Sequence, residues 1–288
     1  MNAPLPLAAS ARWNARLSLA YARVGGRTVP VLRSHHGPLR IQKGFTPEGP
    51  DLWHQVIVHP PGGIASGDAL AIEITAQPGA RALLTSPGAA KWYRANPLAS
   101  EPEASQTVSL SVAEGASVEW LPLETIVFSG AQARWRNRFE LAGNGVLVAA
   151  ELVCLGRPAS GLAFETGSAQ WQTEVLREGE LVFFEQAELV GGDALLSART
   201  GLAGAPAFAT LLFAGDDDPV SRAVAAVRTL SGQPFAGDWG ITQLPGLAVL
   251  RWRGPGAEAG WALLRAAWAS ARPALLGRTA CAPRIWAT

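Results

Sequence analysis

Four histidines, six carboxylates set in apolar surroundings and two cysteines are the side chains of this sequence that could do chemistry. His35, His36, His54 and His59 all fall in the first quarter of the 288-residue chain. Three of them could converge from neighbouring strands on one metal ion. No His-x-His pair sets two ligands on one strand face, however, and His54 and His59 point to opposite faces of a regular strand. A dedicated tight metal site is therefore not expected, and surface or hydrogen-bonded histidines are the plainer reading. Asp68, Glu73, Glu119, Glu124, Glu151 and Glu165 lie within or beside apolar segments of β character. Charged side chains are rarely buried without partners, and Arg81, Lys91, Arg94, Arg134, Arg136 and Arg138 could supply them. The carboxylates admit two readings. One is solvent-facing alternation, which suits Glu73 and Glu119; the other is a hydrated acidic path through the interior, which Asp68 and Glu124 admit equally. Cys154 and Cys281 have no Cys-x-x-Cys partner and read as small buried hydrophobes.

No enzyme motif organises these residues. There is no Gly-x-Ser-x-Gly elbow. The glycine-rich run Pro60-Pro-Gly-Gly-Ile-Ala-Ser-Gly-Asp68 lacks the lysine by which a nucleotide loop meets phosphates. It reads as a turn, with Asp68 capping backbone amides. A formal charge of +1 and the lack of any Lys/Arg block leave no nucleic-acid footprint. No run approaches the roughly 18 apolar residues of a membrane span, and residues 1–11 lack the basic and apolar regions of a secretory signal. The chain is read as cytoplasmic. Charged residues make up 16% and hydrophobic residues 48%, with 11 Trp, against ~25% charged in typical soluble domains. Such a composition suits either a large buried core or a surface kept apolar for a partner.

The framework that must position these residues reads, over the first two-thirds, as strand after strand. Residues 70–74 and 108–112 alternate apolar and polar side chains, and 119–124 do so more weakly. The segments turn at 77–80, 113–116, 143–146 and 177–180, around Gly79, Gly115, Gly145 and Gly179, spaced 36, 30 and 34 residues apart. Glycine supplies the positive φ of tight hairpin turns, and Asn144-Gly145 is the strongest such signal. A strand–turn–strand unit repeated near that length implies stacked β layers; an evenly spaced meander would look alike. Two helices follow. Asp218 and Pro219 suit N-cap and N1, Val220, Ala223, Val224, Val227 and Leu230 keep helical spacing, and Gly232 can end the helix. The second starts near Ala257, sets Trp261, Leu264, Ala267, Trp268 and Ala271 on one face, and ends or kinks at Pro273. Residues 247–252 read as a strand between them. The expected fold is mainly β: a stacked-sheet, β-helix-like scaffold over 12–215, then a part with two helices over 216–288, in one unit of residues 1–288.

Several blocks resemble one known family. They are Gly37-Pro-Leu-Arg-Ile-Gln42 with Pro47-Glu48, then His59-Pro-Pro-Gly-Gly-Ile-Ala-Ser-Gly-Asp68, which holds Gly62, Gly63 and Gly67. Pro87-Gly-Ala-Ala-Lys-Trp-Tyr-Arg94 follows, with Lys91, Tyr93 and Arg94. Next come Glu119-Trp-Leu-Pro-Leu-Glu-Thr-Ile-Val-Phe-Ser-Gly-Ala131, Cys154-Leu-Gly-Arg157 with Gly156, and Pro283-Arg-Ile-Trp-Ala-Thr288. In this order they resemble the urease accessory protein D family, called H in some organisms. Two positions depart: the family usually has Gln at Leu123 and Glu at Leu162. The resemblance implies a β-stacked, helix-flanked protein without catalytic activity. It implies binding to the F accessory protein, through it to the nickel-carrying GTPase G, and docking of the assembly on apo-urease. It also implies a water-filled passage for nickel, held transiently, with no tightly bound cofactor. Asp68, Glu124, Glu73, Glu119, Glu151 and Glu165 are the candidate residues along it. Scattered carboxylates, few His and no Cys pair suit an ion that must leave as readily as it enters.

Two rival readings fit the same residues. A metal-dependent hydrolase or isomerase on a β-stacked scaffold requires the early histidines to converge on one ion. A carbohydrate-binding module requires several Trp exposed on one concave face.

Overall fold

The computed structural model describes residues 12–287; the reading of residues 1–11 as free of a secretory signal, and the last residue of the closing block, lie outside them. The strands are β1 (Asn14–Val24), β2 (Arg27–His36), β3 (Arg40–Ile41), β4 (Trp53–Val58), β5 (Ala69–Ala76), β6 (Arg81–Thr85), β7 (Ala90–Trp92), β8 (Ala104–Val112) and β9 (Ser117–Leu121). They continue as β10 (Thr125–Val127), β11 (Gln132–Leu141), β12 (Val146–Leu155), β13 (Ser168–Arg177), β14 (Glu180–Val190), β15 (Ala207–Ala214), β16 (Asp238–Leu244) and β17 (Leu247–Gly254). The helices are α1 (Ala194–Ser197), a single turn, α2 (Asp217–Arg228) and α3 (Ala257–Leu276). The protein is mainly β, in two mixed sheets, with the two anticipated helices in the C-terminal part. No helix among the described residues is long and apolar enough to cross a membrane.

The evenly spaced glycine turns are not all hairpins. The first three carry the chain from one sheet to the other. β5 passes through its turn into β6, β8 into β9 and β11 into β12, and each strand pairs with its counterpart one circuit later. β5, β8, β11 and β13 lie parallel in a seven-stranded sheet, and β4, β6, β9 and β12 lie parallel in a ten-stranded one. Only the Gly179 turn closes an antiparallel hairpin, β13–β14. Successive turns stack through backbone bonds, Ala113 N–H to Ala76 O at 3.0 Å and Ala142 N–H to Val112 O at 2.9 Å. In the third turn the positive φ falls at Gly143 (52°) rather than at Gly145. Gly145 is small for another reason: a β carbon there would lie 2.9 Å from Val112 O.

The seven-stranded sheet turns Leu70, Ile72 and Ile74, Val108 and Leu110, and Trp135 and Phe139 inward against Ala82, Leu84, Val118, Trp120, Leu147 and Ala149 of the other sheet. The opposite face of the ten-stranded sheet carries Leu83, Leu121, Val148, Leu152, Phe213 and Leu250, and α2, α3 and Trp286 cover it. Val220, Ala223, Val224 and Val227 of α2, and Trp261, Leu264, Ala267, Trp268 and Ala271 of α3, are buried there, as their spacing predicts. Helix ends differ from expectation. Asp216 rather than Asp218 stands at the N-cap position of α2, without a side-chain hydrogen bond, so Pro219 stands third in the helix, still within the first turn, where N–H groups have no intrahelical acceptor. Pro273 does not stop α3, which runs to Leu276 and closes on Gly277 in the left-handed conformation. A helical φ is native to proline, and buried Arg272 and Leu275 anchor the helix on either side.

Candidate functional site

Between the sheets lies a cavity of about 320 Å³ bordered by His59, Gly62, Lys91, Trp92, Gln106, Trp120, Leu123, Trp135, Asn137 and Glu151. Strand register explains the polar groups on its wall. In the seven-stranded sheet Asn137 stands beside Thr173, and Thr173 beside Glu185, all in the inward phase. In the ten-stranded sheet Glu151 stands beside Thr210, and Thr210 beside Arg251. Two registered polar rows thus face each other across an otherwise apolar sandwich. Trp135 Nε1–H donates to Glu151 Oε1 at 2.6 Å and Asn137 Nδ2–H donates to the same oxygen at 3.2 Å and to Thr173 Oγ1 at 3.3 Å. A second void of about 20 Å³, room for about one water, continues along the rows past Glu151, Thr173, Glu185 and Thr210. At the far end Arg251 meets Glu185 at 2.7 Å. Burial pushes the Glu151 carboxyl up to about 7; the Asn137 and Trp135 hydrogen bonds oppose that rise and the charge of Glu185 adds to it. Burial also lowers the His59 imidazole, against the pull of Asp68.

The other five anticipated carboxylates lie apart from this band. Asp68 is 3% exposed and accepts from two backbone amides, Trp13 N–H at 2.9 Å and Ala65 N–H at 2.8 Å, so it closes the glycine-rich loop as a turn cap. Glu73 faces outward to Arg16 and Ser18. Glu124 accepts from the Trp261 indole at 2.9 Å on the helix side. Glu165 is exposed on the loop after β12. Glu119 corrects the expectation of a solvent-facing residue: it is 1% exposed, beneath α3, where Arg272 meets it with two 3.0 Å hydrogen bonds. Glu48 and His54 join the same buried group. Of the proposed cationic partners, Arg81 pairs with Asp51, Arg134 with Glu103 and Arg138 with Glu174. The histidines disperse: His35 contacts Arg40, His36 is exposed, His54 is in the buried group and His59 is at the cavity. Among the described residues no three His, Cys, Asp or Glu side chains converge on a common point. Cys154 is buried as expected, whereas Cys281 is exposed.

Residues 14–287 match the profile of the UreD urease accessory protein family. A urease accessory protein UreD of Pseudomonas fluorescens strain Pf-5 is 50% identical over 289 residues, with 100% of each chain covered. One from Pseudomonas aeruginosa strain PAO1 is 46% identical, again over 100% of each chain. One from Nitrosococcus oceani is 45% identical over 96% of this chain and 90% of its own. The chain belongs to the UreD family.

The two positions that the sequence reading marks as departures fall on concave surfaces. Leu123 borders the internal cavity, and Leu162 borders a surface pocket with Arg94, Phe128, Arg157 and Glu165. Two of the motif glycines are sterically required. A β carbon on Gly63 would lie 1.9 Å from Tyr93 Cε2, and one on Gly156 would lie 2.4 Å from Leu162 O. Gly62 and Gly67 hold positive φ in the loop that Asp68 closes. The polar rows themselves contain residues that reading by motif misses. Asn137 and Thr173 share the inward phase with Trp135, Phe139, Trp171 and Val175, and a polar residue in phase with the core is the signal that could have found them.

Proposed function

We propose that this protein is a non-catalytic urease maturation factor that, with the F and G accessory proteins, docks on apo-urease and helps pass nickel to its active site. Family membership supports the maturation role, and the relatives are named accessory proteins. The observation that carries the nickel reading is Glu151: of the six candidate carboxylates, it alone borders the internal cavity. Its carboxyl titrates near neutrality, so an approaching divalent cation displaces its proton and gains a charged oxygen. Thr173, Thr210 and the Asn137 amide offer neutral oxygens along the same rows. In the narrower void the ion exchanges shell waters for these oxygens. Two carboxylates, one of them already paired with Arg251, and several neutral oxygens hold nickel weakly, whereas imidazole and thiolate clusters would retain it; passage requires release as well as entry.

Glu151→Gln tests the reading, since it keeps shape and the acceptor oxygen while removing the charge. Complex yield by co-purification and nickel per urease active site are measured together. The expected outcome is normal assembly with reduced nickel loading. Normal loading would remove Glu151 from the pathway; Asp68→Asn and Glu124→Gln, measured alongside, would show whether the route runs by those residues instead.

A further inference from the structure

Where Gly62 and Lys91 border the cavity, the loops that follow β7, β10 and β12 lie in register. Tyr93 N–H donates to Ile64 O at 2.9 Å, Phe128 N–H to Trp92 O at 2.9 Å and Gly156 N–H to Val127 O at 2.8 Å. These bonds set three side chains in a line at the surface. The Tyr93 ring meets Phe128 edge-on with centroids 5.1 Å apart, and the Arg157 guanidinium sits 4.9 Å over the Phe128 ring. Arg94 joins them, lining with Arg157, Phe128, Leu162 and Glu165 a pocket of about 240 Å³. Neither guanidinium has a carboxylate or hydrogen-bond partner among the described residues, and Glu165 is the single acid on the pocket wall. Around them Tyr93 is 39% and Leu162 46% exposed. Exposed Tyr, Arg and aliphatic side chains in one patch have the composition of an interface centre. Two unpaired cations against one acid select a partner of opposite sign.

We propose that this rim docks an acidic segment of a partner protein, with carboxylates bound by Arg94 and Arg157 and aliphatic side chains laid over Tyr93 and Leu162. The proposal rests on the maturation reading and adds which surface serves it: the partner is seated beside the cavity, where a cargo ion changes hands.

The test is capture of the F accessory protein and of apo-urease by the full-length chain carrying Arg94→Glu with Arg157→Glu. The milder pair, Arg94→Gln with Arg157→Gln, is run beside it and decides the matter if charge reversal lowers the melting temperature. The expected result is that wild type captures both partners. Capture of one of them by the variants then weakens by at least about tenfold and loses its sensitivity to salt. Unaltered capture of both partners overturns the rim and leaves the maturation reading standing. Lost self-association with unaltered capture also overturns it, assigning the rim to a second copy of the chain. A wild-type chain that captures neither partner overturns the maturation reading and the rim with it.

Discussion

Arg272 of α3 and Glu119 of β9, separated by 153 positions in the chain, meet through two parallel hydrogen bonds of 3.0 Å with neither side chain open to solvent. Glu48 adds a second carboxylate at 2.6 Å, and His54 Nε2 lies 2.8 Å from that carboxylate. Burial opposes ionisation of Glu48, but the His54 and Arg272 hydrogen bonds and charges outweigh it and hold its carboxyl at about 2.

Replacing Arg272 by Met leaves Glu119 buried without a cation and Glu48 with His54 alone. The expected loss is ~3–5 kcal/mol, read from urea unfolding midpoints. Glu48 adds a pH signature to wild type. Its contribution is present above about pH 4.5 and is lost as pH falls from there toward about 2. An Arg272→Met chain with an unchanged midpoint would show that the pair is not holding α3 to the sheet.

Glu151 has the opposite sign. Between about pH 4.5 and about 7 the folded protein holds a proton that the unfolded chain has released, so its contribution to stability falls as pH rises through that window and stays low above it. Glu151→Gln removes the dependence. The variant is expected to be more stable than wild type by about 3 kcal/mol at pH 8 and nearly equal to it at pH 4, by thermal melts across that range.

Asp68 presents both oxygens to backbone N–H groups. Asn caps helices and turns about as well as Asp where one acceptor suffices; here its amide group would point a donor at a donor. Asp68→Asn is expected to cost ~1–3 kcal/mol, measured by denaturant titration, with amide exchange rising at Trp13 or Ala65.

Gly63 and Tyr93 are predicted to be coupled. Gly63→Ala places a methyl in the space of the Tyr93 ring, at an expected cost of ~1–3 kcal/mol. In a Tyr93→Ala background the same change should cost almost nothing, and a double-mutant cycle measures the difference. Additive effects would separate the two residues.

Much of the β architecture is legible in the sequence because inward positions alternate strictly and the glycine turns recur at even intervals. What those turns join is not legible locally: the same glycine chemistry serves a hairpin at Gly179 and a crossing between sheets at Gly79 and Gly115. Pairing partners lie one circuit away, and their register follows only from the repeat. Alternation likewise assigns Glu119 to the outer face of its sheet, correctly, but does not reveal that α3 covers that face. Arg272, one of two cations in a largely apolar helix, is the counterpart. In the candidate site, Asp68 is readable as a turn cap from its place after Gly67. The Glu151 band is not readable from any one strand, because its members come from β11, β12, β13, β14, β15 and β17 and meet only through register.

The distance along the chain between Glu48 and Arg272, 224 positions, also bears on how the protein is made. Synthesis completes β17 before α3 exists, so a growing chain carries Leu83, Val148, Leu152, Phe213 and Leu250 on a sheet face that α2 alone can cover, with Glu119 lacking Arg272. Contacts of such long range form late and slowly, and exposed apolar sheet in the interval invites aggregation. A product stalled or clipped just after Gly254 therefore keeps every strand of both sheets and is still a hazard to the cell that makes it.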